Sequence, residues 1–205
     1  MPGEASEVVI AGFGRVGQIV GRLLLARGAR FTALDVDAEQ VDAVRKFGLK
    51  VFYGDAGNLD VLHSAQLGEA KVFVLAIDDV KASLRAAELV RKHFPDVQIV
   101  ARARNRFHAN RLMDLGIERQ IRETLPSSLE MARWTLELLH EPPALVDQMV
   151  SSFARHDAEV LARQQAIAHD EGKLIQSSRE AREELAQILE EARTAFVKKA
   201  KGVKA

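Results

Sequence analysis

Two hydrophobic patterns alternate along the first part of the chain: short continuous apolar runs, and longer segments whose apolar residues recur at helical intervals. Val8-Val9-Ile10-Ala11 is the first continuous run and reads as a strand buried on both faces. A helix is expected from near Gly14, then a second strand from Phe31 to Leu34. The spacing of Val41, Val44 and Phe47 predicts a helix over 38–47, ended by Gly48, and a short strand follows over 50–53. Asn58 is a plausible cap for a short helix over 59–65. A fourth strand is expected over 72–76. Leu84, Ala87, Leu89, Val90 and Phe94 place a helix over 80–94, just before Pro95. A fifth strand over 98–101 and a helix over 105–115, ending at Gly116, complete the alternation. Five strands alternating with helices predict an α/β, Rossmann-like doubly wound parallel sheet, with its ligand crevice at the carboxyl ends of the strands.

The pattern changes after about Arg122. Leu129, Ala132, Leu136 and Leu139 mark a helix over 126–139, which Glu141-Pro142-Pro143 breaks. Residues 145–169 read most simply as helical. Beyond Gly172, Ser178, Ala181, Leu185, Ile188, Ala192 and Ala195 form a short heptad-like stripe. Such a stripe reads as an amphipathic helix packing on its own domain or on a second subunit. Lys198, Lys199, Lys201 and Lys204 are read as a solvated tail. The expected organisation is a nucleotide-binding domain over 7–122 and a helical extension, with a dimerisation role, over 123–205.

Composition narrows the function classes. The 205 residues carry 29 basic and 29 acidic side chains, so no global field draws in nucleic acid or a membrane surface. There is no cysteine, which excludes disulfides and thiol catalysis. No apolar run approaches the roughly 18 residues of a membrane span, and the short acidic start is no signal peptide.

The candidate chemistry begins at the end of the first strand. In Gly12-Phe13-Gly14-Arg15-Val16-Gly17, the first glycine permits a tight turn and the second lets a pyrophosphate approach the backbone. The third lets the helix sit close to the sheet, and the helix start offers unpaired N–H groups to a phosphate. Asp35 closes the second apolar run at the spacing of a carboxylate that binds ribose hydroxyls. Its charge repels a 2′-phosphate, which favours NAD or AMP over NADP. Gly54-Asp55, Ile77-Asp78-Asp79 and Arg102 lie at other strand ends and are candidates to line the same crevice. Asp78 and Asp79 are read as ribose ligands, a helix cap or solvated acids.

Arg102, Arg104 and Arg106 alternate as the fifth strand ends, and His108 and Arg111 follow. An extended segment points such residues to one side, and guanidinium groups recognise carboxylates and phosphates in a bidentate manner. The cluster is read either as a receptor for an anionic small molecule or as ion-pair partners across a subunit interface. Other chemistry is thin. His63, His93, His108, His140, His156 and His169 lack metal-ligand spacing, and no G-x-S-x-G elbow is present. Trp134 is read as a core or interface residue. The charged helices after the sheet look poorly suited to enclosing a substrate beside nicotinamide, which weighs against an enzyme.

Ile10 to Gln18, Leu34-Asp35-Val36-Asp37, Lys46 to Ala56, Ala76-Ile77-Asp78-Asp79, Ala101-Arg102-Ala103-Arg104 and Arg122-Glu123-Thr124 together closely resemble the regulatory domain of Kef systems. These are glutathione-gated potassium efflux systems of Gram-negative bacteria, and the domain is of the RCK or KTN type. The resemblance implies a ligand-sensing module of a potassium/proton antiporter, dimeric, at the cytoplasmic face of the inner membrane. By matching position it implies that Gly12, Phe13, Gly14, Arg15, Val16, Gly17, Asp35, Asp55, Ala56, Ile77 and Asp78 serve AMP or NAD(H). Arg102, Arg104, Asn105 and Arg111 are then the candidates for glutathione or its adducts. The membrane antiporter domain that precedes the module in the family is not in this chain, which reads as an excised C-terminal piece. A flavin-type ancillary protein is a further possible partner. The alternatives are a soluble NAD-dependent oxidoreductase subunit and a nucleotide-sensing subunit of another potassium transporter.

Overall fold

The computed structural model describes residues 6–46, 51–167 and 170–202, and the chain divides into two compact units, 1–123 and 124–205. Among its described residues the first unit holds six parallel strands in the order β3-β2-β1-β4-β5-β6. They are β1 (Val8–Ala11), β2 (Phe31–Asp35), β3 (Val51–Tyr53), β4 (Val72–Leu75), β5 (Gln98–Ala103) and β6 (Gln120–Arg122). Helices α1 (Arg15–Ala26), α2 (Ala38–Arg45), α3 (Leu59–Ser64), α4 (Val80–His93) and α5 (Arg106–Asp114) form the crossovers. The order reverses at β1, which pairs with both β2 and β4, and this makes the switch point of a doubly wound sheet.

Burial explains the continuous apolar runs. All four residues of β1 are buried because helices cover both faces of the central sheet. On one face Val8, Ile10, Phe31, Ala33 and Val51 pack with Val41 and Val44 of α2 and with Phe13, whose ring stacks on Phe31 at 5.8 Å. Other core residues of the sheet and of α4 and α5 include Phe73, Leu75, Ile99, Ala86, Ala87, Val90 and Leu112, all buried.

The five-strand expectation is corrected by β6. Only Ile121 of its three residues is apolar, and it is 55% exposed, so no hydrophobic run announces the strand. Its pairing with β5 makes it, as Ala101, Arg102 and Ala103 lie opposite Gln120, Ile121 and Arg122. Strand β5 also runs through Ala103, which puts Arg102 within the ladder. Phe47, Gly48 and Lys50, expected to close one helix and open a strand, lie outside the described residues, as do His169 and Lys204 and the side chains of Lys199 and Lys201.

The second unit holds α6 (Leu125–Leu138), α7 (Pro143–Gln165) and α8 (Glu171–Gly202). Pro142 and Pro143 start α7 where missing N–H groups cost nothing. The stripe expected over 178–195 packs against α7 of the same unit: Ala192 is buried, Ala181, Leu185 and Ile188 are half-buried, and Ser178 bonds Gln164. Arg163 forks onto both carboxylate oxygens of Glu184 at 3.1 and 2.6 Å, and His156 Nε2 meets the Ala181 carbonyl at 2.9 Å. Leu125, Leu129, Leu136, Met149, Val150 and Phe153 line an apolar groove of about 260 Å³ among the three helices.

Candidate functional site

A cavity of about 360 Å³ opens at the carboxyl ends of the strands, at the switch point. Gly12, Gly14, Asp35, Asp55, Ala56, Ile77 and Asp78 line it, and so do Leu34, Val36, Gly54, Ala76, Asp79, Ala82 and Arg102. The glycines act through the backbone. Gly12 holds φ +87°, and a Cβ there would lie 2.8 Å from Ala76 and Ile77 backbone atoms. A Cβ at Gly17 would lie 2.1 Å from the Gly12 carbonyl oxygen, so only glycine lets α1 start this close to β1. Gly14 caps α1 without a side-chain bond and stands in open space, which leaves the helix N-terminus available to an anion.

Four other members of the fingerprint do not line the cavity. The Phe13 side chain is fully buried in the core, Gly17 is buried, Val16 is half-buried and Arg15 is exposed beside the helix start. What Phe13 contributes is its backbone: its N–H donates to Asp35 Oδ2 at 2.6 Å, and its carbonyl accepts from Gln18 and Gln40 side-chain amides. Asp35 Oδ1 accepts the Asp37 N–H at 2.9 Å. A carboxylate has about four lone-pair sites, so Asp35 keeps acceptor capacity toward the cavity after both bonds.

Asp55 is held in the same way. Its Oδ1 accepts the Gly57 N–H and its Oδ2 accepts Arg85 Nη2, each at 2.7 Å. The two aspartates after β4 divide their roles. Asp79 caps α4 by accepting the Ala82 N–H at 2.8 Å, whereas Asp78 receives Arg102 at 2.6 Å and Arg104 at 2.8 Å. Burial opposes ionisation of Asp78, but the two guanidinium groups outweigh it and hold the carboxyl below its ordinary value.

The arginine cluster separates in space. Arg102 is buried and lines the cavity, pairing with Asp78 and Glu123 and donating to the Ala76 carbonyl. Arg104 is half-exposed and pairs through Nη1 with Asp78 Oδ2. Asn105 caps α5 by accepting the His108 N–H, Arg106 already belongs to that helix, and Arg111 lies in its last turn. Arg102 and Arg104 thus find acidic partners within their own chain. His108, fully buried, accepts the Arg104 N–H through Nδ1 at 3.2 Å. Burial and the Arg102 charge hold this imidazole below its ordinary value, and because Nδ1 accepts the Arg104 N–H, the neutral ring carries its proton on Nε2. Among the described residues no cluster of His, Cys, Asp and Glu is arranged to hold a metal ion, and no helix is long and apolar enough to cross a membrane. Trp134, expected in a core or interface, is 56% exposed on α6.

Comparison with known proteins places this geometry in a family. The TrkA-N domain model matches residues 8–123, and that of the potassium efflux system KefB C-terminal domain matches residues 127–201. The glutathione-regulated potassium-efflux system protein KefC of Escherichia fergusonii is 42% identical over 167 residues, and Escherichia coli KefC is equally similar. These matches cover 82% of this chain and 27% of each relative, so the chain spans about a quarter of their length. The Shewanella denitrificans Kef C-terminal domain, solved in an AMP-bound form, superposes with a TM-score of 0.72 at 39% identity, covering 78% of this chain and 98% of that one. The TrkA-N domain of the Escherichia coli inner membrane protein ybaL gives a TM-score of 0.57 at 27% identity, covering 67% and 98% of the two chains. The NAD-bound GsuK channel shares the fold, with a TM-score of 0.58 at 18% identity over 64% of this chain and 24% of that one. The KefC relatives are proteins of a glutathione-regulated potassium-efflux system.

Proposed function

The chain belongs to the TrkA-N family in its Kef form, and from that premise we propose that it is the ligand-sensing part of a potassium efflux system, working at the cytoplasmic face of a bacterial inner membrane. The observation that carries this reading is the cavity at the switch point, where a glycine turn, an open helix N-terminus and Asp35 converge. An adenine nucleotide lies there with its phosphate on the α1 N-terminus beside Arg15, its ribose hydroxyls on Asp35 and its base toward Asp55 and Ala56. AMP and NAD(H) both present this adenosine half.

The second ligand is glutathione or its adducts. Arg104, Asn105 and Arg111 are assigned to it because guanidinium and amide groups suit a ligand that carries two carboxylates. Arg102, enclosed between Asp78 and Glu123, belongs instead to the wall of the nucleotide cavity. The chain works as a homodimer through its helical unit, and bound ligand biases an attached antiporter through unequal affinity for two dimer arrangements. Control of an ion gate needs no catalytic group.

Calorimetric titration of the purified chain with AMP, then with glutathione and an S-substituted adduct, tests the proposal. Saturable binding of both classes, with glutathione binding weakened in Arg104→Ala and Arg111→Ala, is the expected result. Nucleotide binding without any glutathione signal in the wild-type chain would overturn the second-ligand assignment.

A further inference from the structure

The carboxyl ends of all three strands on one side of the switch point are tied together by charge. Asp78 follows β4, Arg102 lies in β5 and Glu123 follows β6. Arg102 Nη2 pairs with Asp78 at 2.6 Å and also with Glu123, while Nη1 donates to the Ala76 carbonyl at 3.3 Å. Arg104 Nη1 pairs with the second Asp78 oxygen, Oδ2, at 2.8 Å. Glu123 is itself fixed, because its N–H continues the ladder onto the Ala103 carbonyl at 3.0 Å.

A dinucleotide lies across a doubly wound sheet with one nucleotide over each half, the adenosine half over β1 to β3 and the other over β4 to β6. Here the cavity draws its lining from the ends of β1, β2, β3 and β4, and meets β5 only at Arg102. The Arg102 side chain is 8% exposed and that of Glu123 is 19% exposed, so this pair is enclosed, whereas Asp78, 58% exposed, forms the outer end of the bridge. Resting on the nucleotide reading of this same cavity, we propose that the Asp78–Arg102–Glu123 bridge is a selectivity wall that admits adenine mononucleotides and excludes dinucleotides. A second ribose and nicotinamide have to part a buried guanidinium from its carboxylates. Breaking an enclosed ion pair leaves an uncompensated charge and is strongly unfavourable. A mononucleotide ends its chain of contacts at the α1 N-terminus and leaves the bridge intact.

The test is calorimetric titration of the full 205-residue chain with AMP, ADP-ribose and NAD⁺, repeated with Glu123→Gln, which frees one side of Arg102. The wall predicts that the wild-type chain prefers AMP over both larger ligands by at least about tenfold, and that the preference shrinks by about tenfold in the variant. NAD⁺ binding as tightly as AMP to the wild-type chain overturns the wall while leaving the nucleotide reading in place. An unchanged preference in a variant with native melting behaviour also overturns it. Failure of all three ligands to bind overturns the nucleotide reading itself, and the wall with it. If Glu123→Gln does not fold, the wild-type ranking still decides.

Discussion

Phe13 donates its backbone N–H to Asp35 Oδ2 at 2.6 Å, and this bond ties the glycine turn after β1 to the acid at the end of β2. The two residues come from adjacent strands of a parallel pair, in which Ala11 lies opposite Leu34. Asp35 therefore does structural work before any nucleotide arrives, because it fixes the loop whose next residues start α1.

Asp35→Ala removes both functions. A bond to a charged acceptor is worth about 1.5–3 kcal/mol, so AMP affinity is expected to fall by about 10- to 100-fold on loss of the ribose contact. The Phe13 and Asp37 N–H groups also lose their acceptor, so urea denaturation should show a lower midpoint without ligand. Asp35→Asn keeps an acceptor oxygen and should recover part of the stability while binding AMP weakly.

Gly17→Ala is expected to be severe for a purely steric reason. Its Cβ would stand 2.1 Å from the Gly12 carbonyl oxygen, a backbone atom that no side-chain rotation can move. The start of α1 has to shift from β1, which we expect to cost about 3 kcal/mol or more. Gly14→Ala meets nothing within 4 Å and should be tolerated for folding. Thermal melting of the two variants separates the structural glycine from the one exposed to ligand.

His108 sets a pH dependence whose sign follows from its burial. The folded-state value lies below the ordinary 6.5, so between that value and 6.5 the unfolded chain binds a proton that the folded chain does not. Stability is complete above about 6.5 and is lost as pH falls toward the lowered folded value. Protonation would also remove the Nδ1 acceptor from the Arg104 N–H and place a cation beside Arg102. His108→Asn should flatten the slope of stability against pH in this window. A wild-type slope that persists in the variant would mean that another group carries it.

These residues differ in how far the sequence announces them. The order of strands and helices through α5 follows from continuous apolar runs and helical spacing, because a sheet covered on both faces leaves its inner strands little freedom of composition. Strand β6 is silent because two of its three residues are polar and it exists only as a partner to β5. The strand-end positions of Asp35, Asp55, Asp78 and Arg102 are legible, since chain direction alone brings them to one crevice. Their partners are not. Arg85 on α4 reaches Asp55, and Glu123 reaches Arg102, across separations that no local pattern encodes. The alternation of Arg102 and Arg104 suggested equivalent groups, yet one is enclosed by β6 and the other is left half-exposed.

Helix α6 is apolar on more than one side. None of its residues is buried, although Leu125, Leu129, Ala132 and Leu136 line the groove toward α7 and α8. Met131, Trp134 and Leu138, at helical spacing on the same helix, are 63%, 56% and 80% exposed. A helix apolar on more than one side is normally covered, and a second copy of the chain is the cover that the proposed dimer supplies. Trp134→Glu together with Leu138→Glu should convert the dimer to a monomer in sedimentation velocity, because each places a charge in a desolvated contact. AMP binding by the first unit should persist in that monomer, since among the described residues the cavity lining runs from Gly12 to Arg102. A dimer that survives both substitutions would move the interface off α6.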